Sequence, residues 1–209
     1  MRQALLFFLT VLLASPALAS PWPRPAGERF LSLSREGASL SVWGEAGLDG
    51  RHWLVGRLER AQDGARTAGF ALRRSLVGDD AVHRLALSLG AEFRDRDRRV
   101  ALRPGLSWGR GVTRPWQGWV TASAEALVPV RQVRQIEWEG RVTLGAQPAP
   151  DWLAMVQLQA ERRPQGQRLY VAPSVAWEWR TGTHLQLGLR QRVGGDRRRR
   201  VTLASWLRF

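Results

Sequence analysis

Three histidines, His52, His83 and His184, are the residues of this 209-residue chain whose unperturbed titration falls near neutral pH. The chain has no cysteine, so a thiol nucleophile, a thiolate metal site and a disulfide are all excluded. Serine catalysis needs a serine beside a histidine that a third group holds in place. Ser75 and Ser88 are available, but neither stands in a nucleophile context, and the chain holds no asparagine to orient a histidine. A lipid hydrolase is therefore the weakest of three readings. Asp79 and Asp80 next to His83 could attract a cation, yet a solvated acidic turn explains the same residues. The stretch GLSWGRG at 105–111 lacks the lysine of a phosphate loop. No metal, no cofactor and no catalytic group is expected.

The remaining chemistry is charge. Lys and Arg together number 32 against 18 Asp and Glu, a net charge of +14, and every basic residue is arginine. Many charges fall at alternate positions of extended segments: Glu45, Arg57, Glu59, Glu92, Arg103, Glu125, Glu137, Glu139, Arg141, Glu161, Glu178, Arg190 and Arg192. Two runs, RDRDRR and GDRRRR, crowd arginine into turns. They place Arg94, Arg96, Arg98, Arg99, Arg197, Arg198, Arg199 and Arg200 where guanidinium forks could meet phosphate oxygens. Plain solubility of exposed turns would account for them equally well.

The elements that carry these charges read as strands. Residues 39–48 put Leu40, Val42, Gly44, Ala46 and Leu48 on one face, and Ser39, Ser41, Trp43 and Glu45 on the other. The same period of two runs through 84–93, 136–146, 152–161 and 184–193. Short turn compositions divide the chain into twelve candidate strands, or ten if ERFLSLS near 28–34 does not pair. Most are longer than the five or six residues usual in soluble sheets, and a tilted strand needs about 9–11 to cross a bilayer. Small residues on the polar face (Ser88, Gly90, Gly105, Ser107, Ser123, Gly145, Gly188) suit a narrow lumen. Both charge signs on that face suit pairing across it. The fold expected is all-β: a closed antiparallel transmembrane barrel with its apolar face outward. Aromatic residues fall near strand ends, with Trp108, Trp152, Trp177, Trp179 and Phe209 at one rim and Phe93 and Trp138 at the other. Trp43, Trp53 and Trp206 fall on the inward parity. Pro104 and Pro173 are the weak points, expected at bulges or misplaced boundaries.

The opening MRQALLFFLTVLLASPALAS has a basic start, an apolar core and a small-residue cleavage site. Residues 1–19 are expected to be an export signal, 20–27 a flexible lead and 28–209 the barrel. Removing Arg2 with the signal lowers the charge from +14 to +13. After export, that charge points to anionic lipid or glycolipid phosphate and away from nucleic acid.

The final strand, RVTLASWLRF, resembles the terminal strand of bacterial outer-membrane β-barrel proteins, which ends in phenylalanine after alternating apolar residues. Val201, Leu203, Leu207 and Phe209 match that pattern, and Ser205 departs from it. The segment 41–59 is similar to the short periplasmic hairpin of small porin-like barrels. The resemblance implies outer-membrane localisation and an assembly signal read by the barrel-assembly machinery. Membrane lipid and lipopolysaccharide are the other partners expected. A narrow polar channel for small solutes is the leading function, with a non-conducting structural or surface-interaction barrel as the alternative.

Overall fold

The computed structural model describes residues 21–78, 81–113, 117–131, 135–194 and 199–209. The expected export signal lies outside them, as do Asp79, Asp80, Arg197 and Arg198. Twelve strands follow one another: β1 (Arg29–Glu36), β2 (Ser39–Gly47), β3 (His52–Arg60), β4 (Arg66–Ser75), β5 (His83–Arg94) and β6 (Arg99–Val112). The second half holds β7 (Gly118–Pro129), β8 (Glu137–Ala149), β9 (Trp152–Arg163), β10 (Gly166–Arg180), β11 (Thr183–Val193) and β12 (Arg199–Arg208). Each pairs antiparallel with its chain neighbours, and β1 pairs with β12, so the sheet closes into a barrel. Phe30 stands opposite Arg208 and Glu36 opposite Thr202 at that seam. Backbone bonds between Arg29 and Phe209, at 2.7 and 3.1 Å, carry it to the last residue. Closure leaves no unpaired strand edge.

Every strand starts or ends at one of two rims. We call the one holding Arg29 and Phe209 the terminal rim and its opposite the far rim. The connections are short, and tight ones use glycine where the backbone must turn left. Gly182, with φ of 75°, closes the two-residue turn between β10 and β11. In the β2–β3 turn, Asp49 accepts hydrogen bonds from the N–H groups of Arg51 and His52 at 2.9 and 2.7 Å. Its other oxygen meets His52 Nδ1 at 2.8 Å, and these bonds, the His52 ring foremost, hold the Asp49 carboxyl down at about 2.

The two prolines sit inside strands without shifting the register. Pro104 pairs with Leu89 of β5, and Pro173 pairs with Val156 of β9. On their other sides the ladder skips two residues and resumes in phase, at Gly105 opposite Glu125 and at Ser174 opposite Gly188. Each proline thus forfeits pairing toward one neighbour only. The bulges lie elsewhere, between Ala146 and Ala149 and between Glu178 and Arg180.

Parity sets the two surfaces. Leu33, Leu58, Leu89, Leu144, Leu187 and Leu203 all lie on the outer wall, and each is more than half exposed. Phe70 there is 69% exposed. A soluble monomer seldom shows a contiguous apolar surface of this extent. Trp152 and Trp177 stack at 6.3 Å on the terminal rim, while Phe93 and Trp138 are exposed near the far rim. Inside, the terminal half of the barrel holds the apolar clusters. Phe30, Trp119, Leu153, Met155, Ala176 and Trp206 form one buried cluster, and Trp53, Val55 and Ala86 form a second.

The lead, expected over 20–27, is described from Pro21 onward and packs against the barrel. Pro21 is fully buried and Arg24 is 3% exposed. The segment turns back into the terminal mouth, where Trp22 packs against the first aromatic cluster. Two glycines make room for it. A Cβ on Gly47 would overlap the Pro25 carbonyl, and one on Gly109 would meet Pro21 and the Trp22 ring at 2.5 and 2.7 Å. Gly27 N–H donates to the Gly47 carbonyl at 3.1 Å, tying the segment to β2. Prolines and the absence of period hide this in the sequence, because the segment is a strap and not a strand.

A charged lumen above an aromatic floor

The inward parity of β3 to β8 brings one charged cluster together in the far half of the lumen. Arg103 of β6 stands at its centre. Its Nε donates to Glu125 at 2.6 Å and its Nη2 to Glu139 at 2.5 Å, while its Nη1 meets Glu92. Arg57 also pairs with Glu92, and Arg73 reaches Glu125 at 3.5 Å. Arg94 bridges Glu92 at 2.8 Å and Glu137 at 3.1 Å. Arg99 holds the other Glu137 oxygen at 2.8 Å and the Gln135 carbonyl at 3.0 Å. Arg141 joins the same cluster by position, on the inward face of β8 two residues from Glu139 and opposite Ser123 of β7. Six guanidinium groups thus face four carboxylates. Several guanidinium nitrogens remain buried without a hydrogen-bond partner, among them Arg73 Nη1, Arg99 Nε and Arg141 Nε.

A second, smaller group lies across the lumen. Arg190 of β11 pairs with Glu161 at 2.9 Å and Glu36 at 3.5 Å, and its guanidinium lies 3.8 Å over the Tyr170 ring. Arg163 meets Glu161 at 3.4 Å. Arg192 stands opposite Tyr170 and is half-buried. The wall between is uncharged: Gln159 donates to Gln157 at 3.0 Å, Gln186 to Ser174 at 2.8 Å, and Ser34 bonds Ser41 at 2.7 Å. The lumen is therefore uneven, with the larger charged cluster on β3–β8 and, on β9–β12 and β1, a smaller charged group beside amides and hydroxyls.

Not every inward charge joins these groups. Glu45 lies low in the lumen, where it accepts from Arg24 Nε at 2.7 Å and Trp43 Nε1 at 3.0 Å. Glu59 has the inward parity but is exposed at the far rim. Glu178 sits at the terminal rim, accepting from the Gly182 N–H at 2.8 Å with His184 at 3.9 Å. His83 stacks on Trp108, and His184 tilts against Trp206.

Three of the arginines expected at phosphate are ion-paired within the barrel. Arg94 and Arg99 continue the inward parity of Glu92 and Arg103, so they turn into the lumen and pair with Glu137. Arg200 shares the inward parity of β12 and lies 3.4 Å from Glu36. The ends of long strands, and not the turns, hold these three. Arg96 pairs with Asp63 at 2.6 Å in the solvent, Arg98 adopts a positive φ of 47° in the β5–β6 turn, and Arg199 is exposed. Of the residues expected to signal assembly, Val201, Leu203, Leu207 and Phe209 all line the outer wall, exposed. Arg24 and Arg73 were not among the expected site residues. Arg73 was legible, since it shares parity with Gly69 and Ala71, whereas nothing in the sequence marks Arg24.

The lumen is narrow. A cavity of about 30 Å³ between Trp43, Arg57, Arg73, Arg103 and Glu125 has room for one or two waters. A larger hollow of about 740 Å³ lies on the outer wall, lined by Leu144, Ala154, Pro173 and Leu187. Lipid chains would fill such a groove, so it is not the site. The floor is set by close packing. Gly145 stands opposite Trp119, and a Cβ there would overlap the indole. Gly145→Ala is expected to force the ring aside and lower stability by about 1–3 kcal/mol, the usual cost of overpacking. Urea unfolding of the protein in detergent checks this; an unchanged midpoint would mean that the indole has room to move.

The closed twelve-stranded barrel is a fold shared with solved outer-membrane porins. The chain is similar in fold to the KdgM porin, with a TM-score of 0.70 at 9% identity over 87% of this chain and 99% of that one. That porin has also been solved in complex with disordered oligogalacturonate, and the likeness is the same. The NanC porin superposes with a TM-score of 0.59 at 7% identity, over 88% of this chain and 99% of that one. No family model matches the chain, and no curated protein is similar to it in sequence.

Proposed function

We propose that the protein is a narrow outer-membrane channel for small acidic solutes, with sugar acids as the substrate class. The observation that carries this is the surplus of guanidinium in the lumen. Arg73, Arg99, Arg141, Arg163 and Arg190 each keep a buried nitrogen without a partner. The excess of guanidinium over carboxylate leaves the lumen net positive, which attracts an anion passing along it. The amide and hydroxyl wall opposite suits the hydroxyls of a sugar. The KdgM complex with oligogalacturonate supports the same substrate class.

Liposome swelling tests it. Vesicles holding the protein are expected to admit galacturonate faster than uncharged galactose, and Arg73→Gln together with Arg141→Gln is expected to narrow that difference. Equal rates for the two sugars in the parent would refute an acidic preference. One observation favours a second reading, the non-conducting barrel. The strap and the aromatic clusters fill the terminal half of the lumen. On that reading no sugar enters, whether the strap is present or removed.

A further inference from the structure

The far rim carries a row of arginines that the lumen does not use. Arg35 of β1, Arg60 of β3 and Arg66 of β4 all have the outward parity, and all are exposed. The register sets them in line. Leu203 stands opposite Arg35, Arg35 opposite Leu40, Leu40 opposite Arg60 and Arg60 opposite Arg66. Neighbouring strands lie about 4.8 Å apart, so the three guanidinium groups can converge on a patch about 10–15 Å wide. Like charges directly opposite destabilise a sheet, and Arg60 faces Arg66 squarely.

Three carboxylates nearby are engaged elsewhere, while Glu59 has the inward parity and is exposed at the same rim. Asp63 accepts from the Ala65 N–H and pairs with Arg96. Asp95 accepts from the backbone N–H of Arg66 at 2.7 Å. Glu36 turns inward to Arg190 and Arg200. Arg35 gives its Nε to the Gly37 carbonyl at 2.9 Å, which holds the guanidinium at the rim and leaves its outer nitrogens to solvent. Below the row, toward the terminal rim, come Leu33 and Leu58 and, one step further down β4 beyond Ala68, Phe70 of the apolar wall. The row therefore marks the height at which apolar surface gives way to water.

We propose that Arg35, Arg60 and Arg66 form a docking site for the phosphate headgroup of an anionic lipid whose acyl chains lie along Leu33, Leu58 and Phe70. It rests on the reading that the outer wall faces a bilayer. Planar guanidinium forks match phosphate oxygens, and a shared phosphate would relieve the repulsion between Arg60 and Arg66. The lipid tails anchor the headgroup, so the occupant is a lipid and not a dissolved phosphate.

The test uses full-length mature protein folded in detergent, with lipid A carrying both phosphates and its dephosphorylated form as probes. Retained lipid per barrel is read by native mass spectrometry. The parent is expected to retain the phosphorylated form, inorganic phosphate should not displace it, and Arg60→Gln with Arg66→Gln should weaken retention on the order of tenfold. Arg74→Gln, an exposed residue near the terminal rim, should leave it unchanged. A folded parent with no preference for the phosphorylated form, or a double variant that keeps the preference, overturns the site. Displacement by inorganic phosphate overturns the lipid as occupant. A parent that does not insert into vesicles overturns the membrane reading, and the site with it.

Discussion

Replacing Gly47 with leucine is expected to open the terminal mouth of the barrel. The strap crosses the backbone of Gly47 so closely that any side chain there collides with the Pro25 carbonyl. Besides the packing of Pro21 and Trp22, the strap is held by the Arg24 pairs with Glu45 at 2.7 Å and Glu28 at 3.1 Å, the guanidinium 4.8 Å from the Phe30 ring, and the bond from Gly27 to Gly47. Its release removes no strand pairing among the twelve, so the barrel should persist. Bilayer conductance should rise clearly above the parent's. Deleting residues 21–26 removes the strap without touching any strand and should have the same effect. Conductance unchanged in both variants, with the barrel folded, would show that the strap is not what closes the mouth. Arg24→Ala should act in the same direction. It leaves Glu45 without its cation, and departure of the strap would then let water reach that carboxylate.

The second large effect concerns Arg103. Its guanidinium is shared by Glu92, Glu125 and Glu139. Arg103→Met would leave Glu139 without its direct ion pair and would set three carboxylates against one another in a confined space. Breaking a buried pair by removing one partner typically costs about 3–5 kcal/mol, because the remaining charge is desolvated and uncompensated. A loss of that size is expected in the urea unfolding free energy at neutral pH. Glu139→Gln in the same chain should restore part of it, and a double-mutant cycle reads the coupling. A loss below about 1 kcal/mol would mean that water screens the cluster and that the lumen is wider than its ion pairs suggest.

Much of the wall was legible before the structure. Alternation along the chain placed Glu92, Arg103, Glu125, Glu139 and Arg141 on one surface, and the pairing of β5 through β8 sets them side by side. Closure of β1 on β12 follows from the same pattern, including the short first strand whose pairing was open. Partner choice was not legible. Arg73 meets Glu125 across 52 positions of sequence, a contact that exists only once the barrel has a fixed diameter. Parity also extended further than the turn compositions suggested. Arg94 and Arg99 look like loop residues in RDRDRR but belong to strand ends, where the pleat turns them inward. The strap left no trace because buried proline and a lone arginine carry no period.

The central claim is that the lumen favours anions. The zero-current potential of a planar bilayer separating unequal concentrations of potassium chloride measures it directly, in the parent and in the chain lacking residues 21–26. Guanidinium surplus along the lumen predicts a potential of the sign set by chloride crossing faster than potassium, larger currents in the strap-free chain, and a reduced potential when Arg73 and Arg141 are both glutamine. A potential set by potassium, or no current in either chain, would contradict the account.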